Sequence, residues 1–402
     1  MGMNKTSMPL RGIRVLELGT LLAGPFAGRL LADFGAEVIK IEPPDKPDPM
    51  RQWGKEKDGV GLWWPVQSRN KKSITLNLRT EEGQTVFKEL AENSDVVIEN
   101  FRTGTMEKWG LGYEELRKVN PRLIMMRTTG YGQTGPYKDR AGFGSIGEAM
   151  GGIRYVTGFQ DRPPARVGIS IGDTLAALYS TIGCLTAIEE RHKSGQGQMI
   201  DTAIYESVFS VMESMIPDYL LADYVRERTG NILPGVAPSS IYRTKDDTYV
   251  VIGANADAVF SRLTKAMGQP ELAEHDDYKT HLARGKNQKE LDALIERWTK
   301  TLDAEQVLEA LEEQGVPSGL IYSAADIVKD PHYADRDMIV NTEHPQLGEF
   351  PMPGIVPKLS RTPGRIDHAG SVKPGEANEA IYQSMLGMTS EKVEQLQARG
   401  II

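Results

Sequence analysis

Near the N-terminus the spacing of apolar positions changes twice within thirty residues. Ile13-Arg14-Val15-Leu16-Glu17-Leu18 is a short apolar run that predicts a strand. A turn from Gly19 to Gly24 follows. From Pro25 to about Phe34, Phe26, Leu30, Leu31 and Phe34 recur at helical spacing. Proline suits the first helical position, where its missing N–H is no loss, and Gly35 ends the helix. Glu37 to Glu42 then reads as a second strand. Strand, helix and strand joined by short turns form a βαβ unit, which predicts a parallel sheet.

The alternation continues with strands at Lys72 to Leu78, Asp95 to Glu99 and Arg122 to Arg127, and a helix over Thr80 to Glu92 with Thr80 as its N-cap. Long apolar helices are predicted over Asp173 to Lys193 and Ile200 to Tyr219. Thr229 to Ser240, with two prolines and two glycines, reads as a linker. Strands at Thr248 to Gly253 and Ser318 to Tyr322 are expected beyond it, with helices at Asp257 to Met267, Lys289 to Leu302 and Ala304 to Gln314. After residue 330 come loop signals rich in proline and glycine, then a final helix from Ser390 to Arg399. The expected organisation is a doubly wound α/β part over 1–200, a connecting helix over 201–225, a smaller α+β domain over 226–325, and a return segment over 326–402.

Composition narrows the function. The 402 residues carry a net charge of −8, which argues against nucleic acid but not against an anionic small ligand held by a local patch. The one cysteine, Cys184, lies in an apolar run and cannot build a disulfide framework or a cysteine metal site, which fits a reducing compartment. No secretory signal is visible, and no uninterrupted apolar run approaches the roughly 18 residues of a membrane span. A cytoplasmic protein without membrane contact is expected.

Several short stretches could carry chemistry. The turn Gly19-Thr20-Leu21-Leu22-Ala23-Gly24-Pro25 is not a P-loop, because Pro25 stands where lysine is needed, and it lacks the Gly-x-Gly-x-x-Gly fingerprint. Its amides at Ala23 and Gly24 open a helix and could meet an anion; a plain βα turn is the alternative. The basic cluster Arg69-Asn70-Lys71-Lys72 suits phosphates or is a solvated loop. Arg102 and Lys108 follow a strand end, where open α/β sheets bind ligands. None of the six histidines precedes His192, so a histidine-activated nucleophile would need a distant partner, and no zinc spacing occurs. Asp173, at the start of the long apolar helix, is either an N-cap or a carboxylate nucleophile beside glycines that admit a substrate.

Taken together, Pro9 to Leu16, Leu22-Ala23-Gly24-Pro25, Gly35 to Glu42, Asn70 to Ser73, Glu99-Asn100-Phe101, Gly130-Tyr131-Gly132-Gln133-Thr134-Gly135-Pro136 and Gly168 to Asp173 resemble the class III CoA-transferase family, also called the CaiB/BaiF type. The resemblance runs nearly end to end. It implies a Rossmann-like large domain, a smaller α+β domain and an interlocked homodimer of ring-like chains. It implies CoA transfer between an acyl-CoA and a carboxylic acid through an aspartyl-CoA thioester on Asp173, with no tightly bound cofactor and no metal. By position, the implied CoA contacts are Leu22, Ala23, Leu76 to Arg79, Asn100, Phe101, Arg102, Lys108 and Arg140. The basic residue that some relatives use near the adenine aligns with Pro43, so Lys71 or Lys72 is expected to replace it. Gly130 to Pro136 and Glu343-His344-Pro345 are similar to relatives that use succinyl-type dicarboxylates. Two other activities stay open: an α-acyl-CoA racemase of the same fold, against which Phe143 stands where a histidine base is needed, and a CoA-binding protein without chemistry.

Overall fold

The computed structural model describes residues 8–402, which cluster into two compact units. The first comprises the chain up to Arg154, Val167–Met215 and Tyr333–Ile402; the second comprises Tyr155–Arg166 and Ile216–His332. The expected small domain, 226–325, lies inside the second unit.

The first unit is built on β1 (Arg14–Glu17), α1 (Ala23–Asp33), β2 (Glu37–Glu42), a two-residue ribbon of β3 (Glu56–Lys57) and β4 (Val60–Gly61), α2 (Trp63–Ser68), β5 (Lys71–Thr75), α3 (Glu81–Glu92), β6 (Val96–Glu99), α4 (Thr105–Lys108), α5 (Tyr113–Val119) and β7 (Ile124–Thr129). It continues through α6 (Gly144–Met150), α7 (Ile153–Val156), which crosses the boundary of the units, α8 (Ile171–Ser194), β8 (Met199–Ala203) and α9 (Ile204–Phe209). The large sheet is parallel throughout, in the order β5-β2-β1-β6-β7-β8. Counting only its own strands, this is 3-2-1-4-5-6, the doubly wound order whose switch point lies between β1 and β6. Strand interiors such as Val15, Leu16, Val97 and Ile98 are fully buried, as expected for a sheet covered on both faces.

The edge strand β5 is closed by the far end of the chain. Ser73 N donates to Ser371 Oγ (3.0 Å), Thr75 N to Asn378 Oδ1 (2.8 Å), and Tyr382 Oη to Thr75 O (2.7 Å). These bonds satisfy backbone groups that a sheet edge would otherwise leave open.

One expectation is corrected. No single helix connects the parts over 201–225: that stretch holds the end of strand β8, then α9 and α10 (Met215–Ala222). β8 pairs with β7 through Met199 to Ala203, and its boundary is hidden in sequence because no glycine or proline separates it from α9. In addition, α8 is long and apolar enough to cross a membrane by length and composition. In this unit it packs on β7, β8 and α1, with Ala176, Ala177, Cys184 and Ala187 fully buried.

The second unit has its own core around Tyr242, Val250, Ile252, Phe260, Leu263, Leu291 and Leu311. Its antiparallel sheet, in the order β11-β10-β9, joins β9 (Ser239–Arg243), β10 (Tyr249–Gly253) and β11 (Ser318–Leu320), with helices α11 (Asp257–Ala266), α12 (His281–Lys286), α13 (Gln288–Thr299) and α14 (Ala304–Glu313).

Candidate active site

At the switch point the turn after β1 meets the turn after β6. Thr20 N donates to Asn100 Oδ1 at 2.8 Å, and Asn100 Nδ2 donates back to Thr20 O at 2.9 Å. One side chain thus binds both faces of a backbone segment that lies directly before Leu22 and Ala23, the N-cap and first residue of α1. The next residue, Leu21, is held at φ +63°.

Beneath this turn lies a group of buried charges. Lys40 Nζ contacts Asp48 Oδ2 at 2.8 Å and Glu17 Oε1 at 3.4 Å, and it donates to Gly19 O. Lys71 Nζ lies 2.8 Å from Glu17 Oε2 and donates to Pro25 O at 2.7 Å. Burial drives the Lys71 ammonium down to about 8, against the opposing pull of Glu17. Helix α1 reaches Glu17 only because residue 28 is glycine: a Cβ there would overlap the Glu17 carboxylate. Burial alone would raise the Asp48 carboxyl, but Lys40 outweighs it and holds Asp48 below the usual carboxylate range.

A cavity of about 320 Å³ opens beside the turn. Leu18, Ile41, Leu76, Leu78, Phe101 and Trp109 give it apolar walls, with Pro43, Pro47 and Pro49 on one side and Thr20 and Asn77 at hand. Lys46 and Arg79, both exposed, bring positive charge to it. Phe101 and Trp109 meet edge to face with ring centroids 5.4 Å apart. Flat apolar walls with cations beside them suit a heteroaromatic base carrying phosphates.

Of the expected CoA contacts, Leu76, Arg79 and Phe101 line this cavity, while Leu22, Ala23 and Asn100 belong to the adjoining turn. Arg102 and Arg140 do not line the cavity but are brought near each other: Arg102 Nη2 donates to Asp139 O at 2.5 Å, and the Arg140 guanidinium stacks 3.6 Å from the Tyr137 ring centre. Lys108 ends α4 on the surface and does not line the cavity, although the next residue, Trp109, does. Lys71 and Lys72 do not fill the place that Pro43 leaves open. Lys71 is sealed against Glu17, and Lys72 points to Glu37 at 2.6 Å. Lys46 stands in the cavity instead. The signal for it was the loop Pro43-Pro44-Asp45-Lys46-Pro47 at the C-terminal end of β2, where open α/β sheets bind ligands.

Asp173 lies elsewhere in the same unit, in the first turn of α8. Ser170 holds the N-cap position, so the carboxylate of Asp173 is not the N-cap. Half-buried, it packs on Gly144 at the start of α6, where a Cβ would overlap Oδ2. Glu148, one turn further along α6 and almost fully buried, accepts from Gly172 N (3.4 Å) and pairs with Arg154 (3.0 Å). A helix N-terminus draws negative charge, so a carboxylate in the first turn of a 24-residue helix suits the role of a nucleophile. Phe143, at the N-cap of α6, is exposed and offers no base.

Comparison with known proteins identifies the family. The profile of CoA-transferase family III matches residues 10–374. Succinyl-CoA--D-citramalate CoA-transferase of Chloroflexus aurantiacus is 56% identical over the whole of both chains. Succinyl-CoA:glutarate CoA-transferase of Homo sapiens is 34% identical over 88% of this chain and 81% of its own. A crystal structure of a CaiB/BaiF family protein from Brucella suis superposes with a TM-score of 0.83 at 35% identity, covering 94% of this chain and all of that one. The chain belongs to CoA-transferase family III and is a CoA-transferase.

Proposed function

We propose that this enzyme moves CoA from succinyl-CoA to a small dicarboxylic acid of the citramalate kind, through a covalent aspartyl-CoA thioester on Asp173. The observation that carries the substrate reading is the 56% identity, end to end, with a succinyl-CoA--D-citramalate CoA-transferase. The more distant relatives named for L-malate and glutarate also use succinyl-CoA as partner, so the donor varies less among them than the acceptor.

The chemistry follows from the carboxylate. An Asp173 oxygen attacks the thioester carbonyl of succinyl-CoA and expels CoA thiolate, leaving a mixed anhydride. The thiolate attacks the aspartyl carbonyl and releases succinate, giving the aspartyl-CoA thioester. The acceptor carboxylate attacks that carbonyl and again expels CoA thiolate. The thiolate finally attacks the acceptor's acyl carbon and restores the Asp173 carboxylate. Each step exchanges one acyl bond for another, so no redox partner is needed. The absence of a side chain at Gly144 leaves room against the carboxylate, and amides at Leu22 and Ala23 would stabilise negative charge that develops on the acyl oxygen.

The nucleotide end of CoA occupies the cavity between Pro43 and Trp109, with Lys46 and Arg79 on its phosphates and Asn100, Phe101, Arg102 and Arg140 along its path. The protein works as a cytoplasmic homodimer, a reading supported by its one buried cysteine and by an apolar face that α8 leaves open. The test is mass spectrometry after incubation with succinyl-CoA. A CoA adduct on the Asp173 peptide, lost with hydroxylamine, is expected. Turnover of succinyl-CoA and D-citramalate with no adduct on that peptide would refute the covalent route, and no turnover of that pair would refute the substrate reading.

A further inference from the structure

We propose that Asp48 is a positioning residue for CoA: its buried carboxylate holds Leu21 in the left-handed region and thereby locks together two walls of the nucleotide cavity. The inference rests on the reading of that cavity given above.

Asp48 is 2% exposed. Its two carboxylate oxygens lie 3.1 and 3.3 Å from Leu21 N, and Oδ1 also accepts from Met50 N at 2.9 Å, capping the 3-10 helix Pro49–Gln52. Its own amide donates to Glu42 Oε2 at 2.9 Å, so the side chain and the backbone are both anchored. Lys40 spans the other side, with its ammonium on Asp48 and on the carbonyl of Gly19. The turn is therefore gripped at Gly19 and at Leu21, and Thr20, between them, faces the cavity. On the other side of Asp48, Lys46, Pro47 and Pro49 form the facing wall. One carboxylate sets the distance between the two.

The strain in the turn makes this more than packing. Leucine resists φ +63°, whereas glycine takes it freely. Without the acceptor at Asp48, Leu21 relaxes toward negative φ and carries Thr20 and the Leu22 amide with it. A glycine at position 21 removes that tendency, so it should repair the loss of Asp48 from a position 27 residues away in sequence. A residue that only supports the fold has no such partner.

The experiment measures the dissociation constant of free CoA by calorimetry on the full chain. Asp48→Ala should raise it at least tenfold while the KM for the acceptor acid stays within twofold, and adding Leu21→Gly should recover at least threefold. An unchanged constant in Asp48→Ala, or a loss that Leu21→Gly leaves untouched, overturns the proposal. If Asp48→Ala lacks a cooperative thermal transition, Asp48→Ser, which keeps one oxygen to cap Met50 N but lacks the second that also meets Leu21 N, is read by the same two criteria. Lys46→Ala and Arg79→Ala separate the two levels of the argument. If neither weakens CoA, the reading of the cavity is wrong; if they do and Asp48 does not, only the positioning role is wrong.

Discussion

Removing the Asp173 carboxylate takes away the only group the proposed reaction needs to become covalent. Asp173→Ala should lower transfer by about 10⁴-fold, in the range seen when nucleophiles are deleted from other enzymes. Its affinity for free CoA should stay within a few-fold, because the nucleotide cavity is built from other residues. Steady-state rates and calorimetry on one preparation check both halves. Gly144→Ala is a milder version of the same test: the new Cβ would press on Oδ2, so the rate should fall while CoA affinity holds. At this scale the sequence was legible where a residue's position in a turn mattered and opaque where its surroundings did. Asp173 and Asn100 could be picked out by place. Lys71 looked like a free cation because nothing in its neighbourhood shows that Glu17, 54 positions earlier, points at it. A hint was available: Glu17 and Lys40 fall in predicted strands of a parallel sheet and Lys71 directly precedes a third, where charges are buried and must pair.

Among the elements, α1 and the loop after β2 are the most exacting. Gly28→Ala drives a methyl group into the buried Glu17 carboxylate, and the helix must move or the ion pairs must break. A loss of about 1–3 kcal/mol is expected, read as a lower midpoint in denaturant. The loop carries a pH signature. Burial would raise both carboxyls, but Arg51 holds Glu42, and Lys40 holds Asp48, below the usual carboxylate range. A carboxyl depressed in the folded state adds stability that is complete above its unfolded pKa and is lost as pH falls through the folded one. Melting temperature should therefore drop below about pH 4.5, and Asp48→Asn, which cannot titrate, should show a shallower drop. Most elements were legible because their periods are clean and their ends are punctuated: β2 was expected at Glu37 to Glu42 and is found there. The hairpin of β12 (Ile339–His344) and β13 (Gly348–Pro353) was not. Pro351 and Pro353 read as loop signals, yet in a two-stranded ribbon each strand is an edge, where proline is tolerated.

At the scale of the whole molecule, α8 leaves an apolar face exposed. Leu178, Tyr179, Ile182 and Leu185 are exposed on a helix whose other face packs in the core, with Ile182 at 59%. A second copy of this chain is the occupant we propose. Ile182→Lys should shift sedimentation from dimer toward monomer at low micromolar concentration, and an unchanged dimer would place the interface elsewhere. A single chain cannot reveal such a contact from sequence, because apolar residues facing a partner and those facing the core share one helical pattern.

The closure of β5 by residues 371–382 has a consequence for how the protein is made. A ribosome releases strand β5 about three hundred residues before the segment that seals it. Through most of synthesis the sheet therefore has an open edge able to pair with another growing chain, and the first unit can reach its final form only after the whole second unit has emerged. The hazard is kinetic, and it would show as aggregation that worsens when translation is fast and chaperones are scarce.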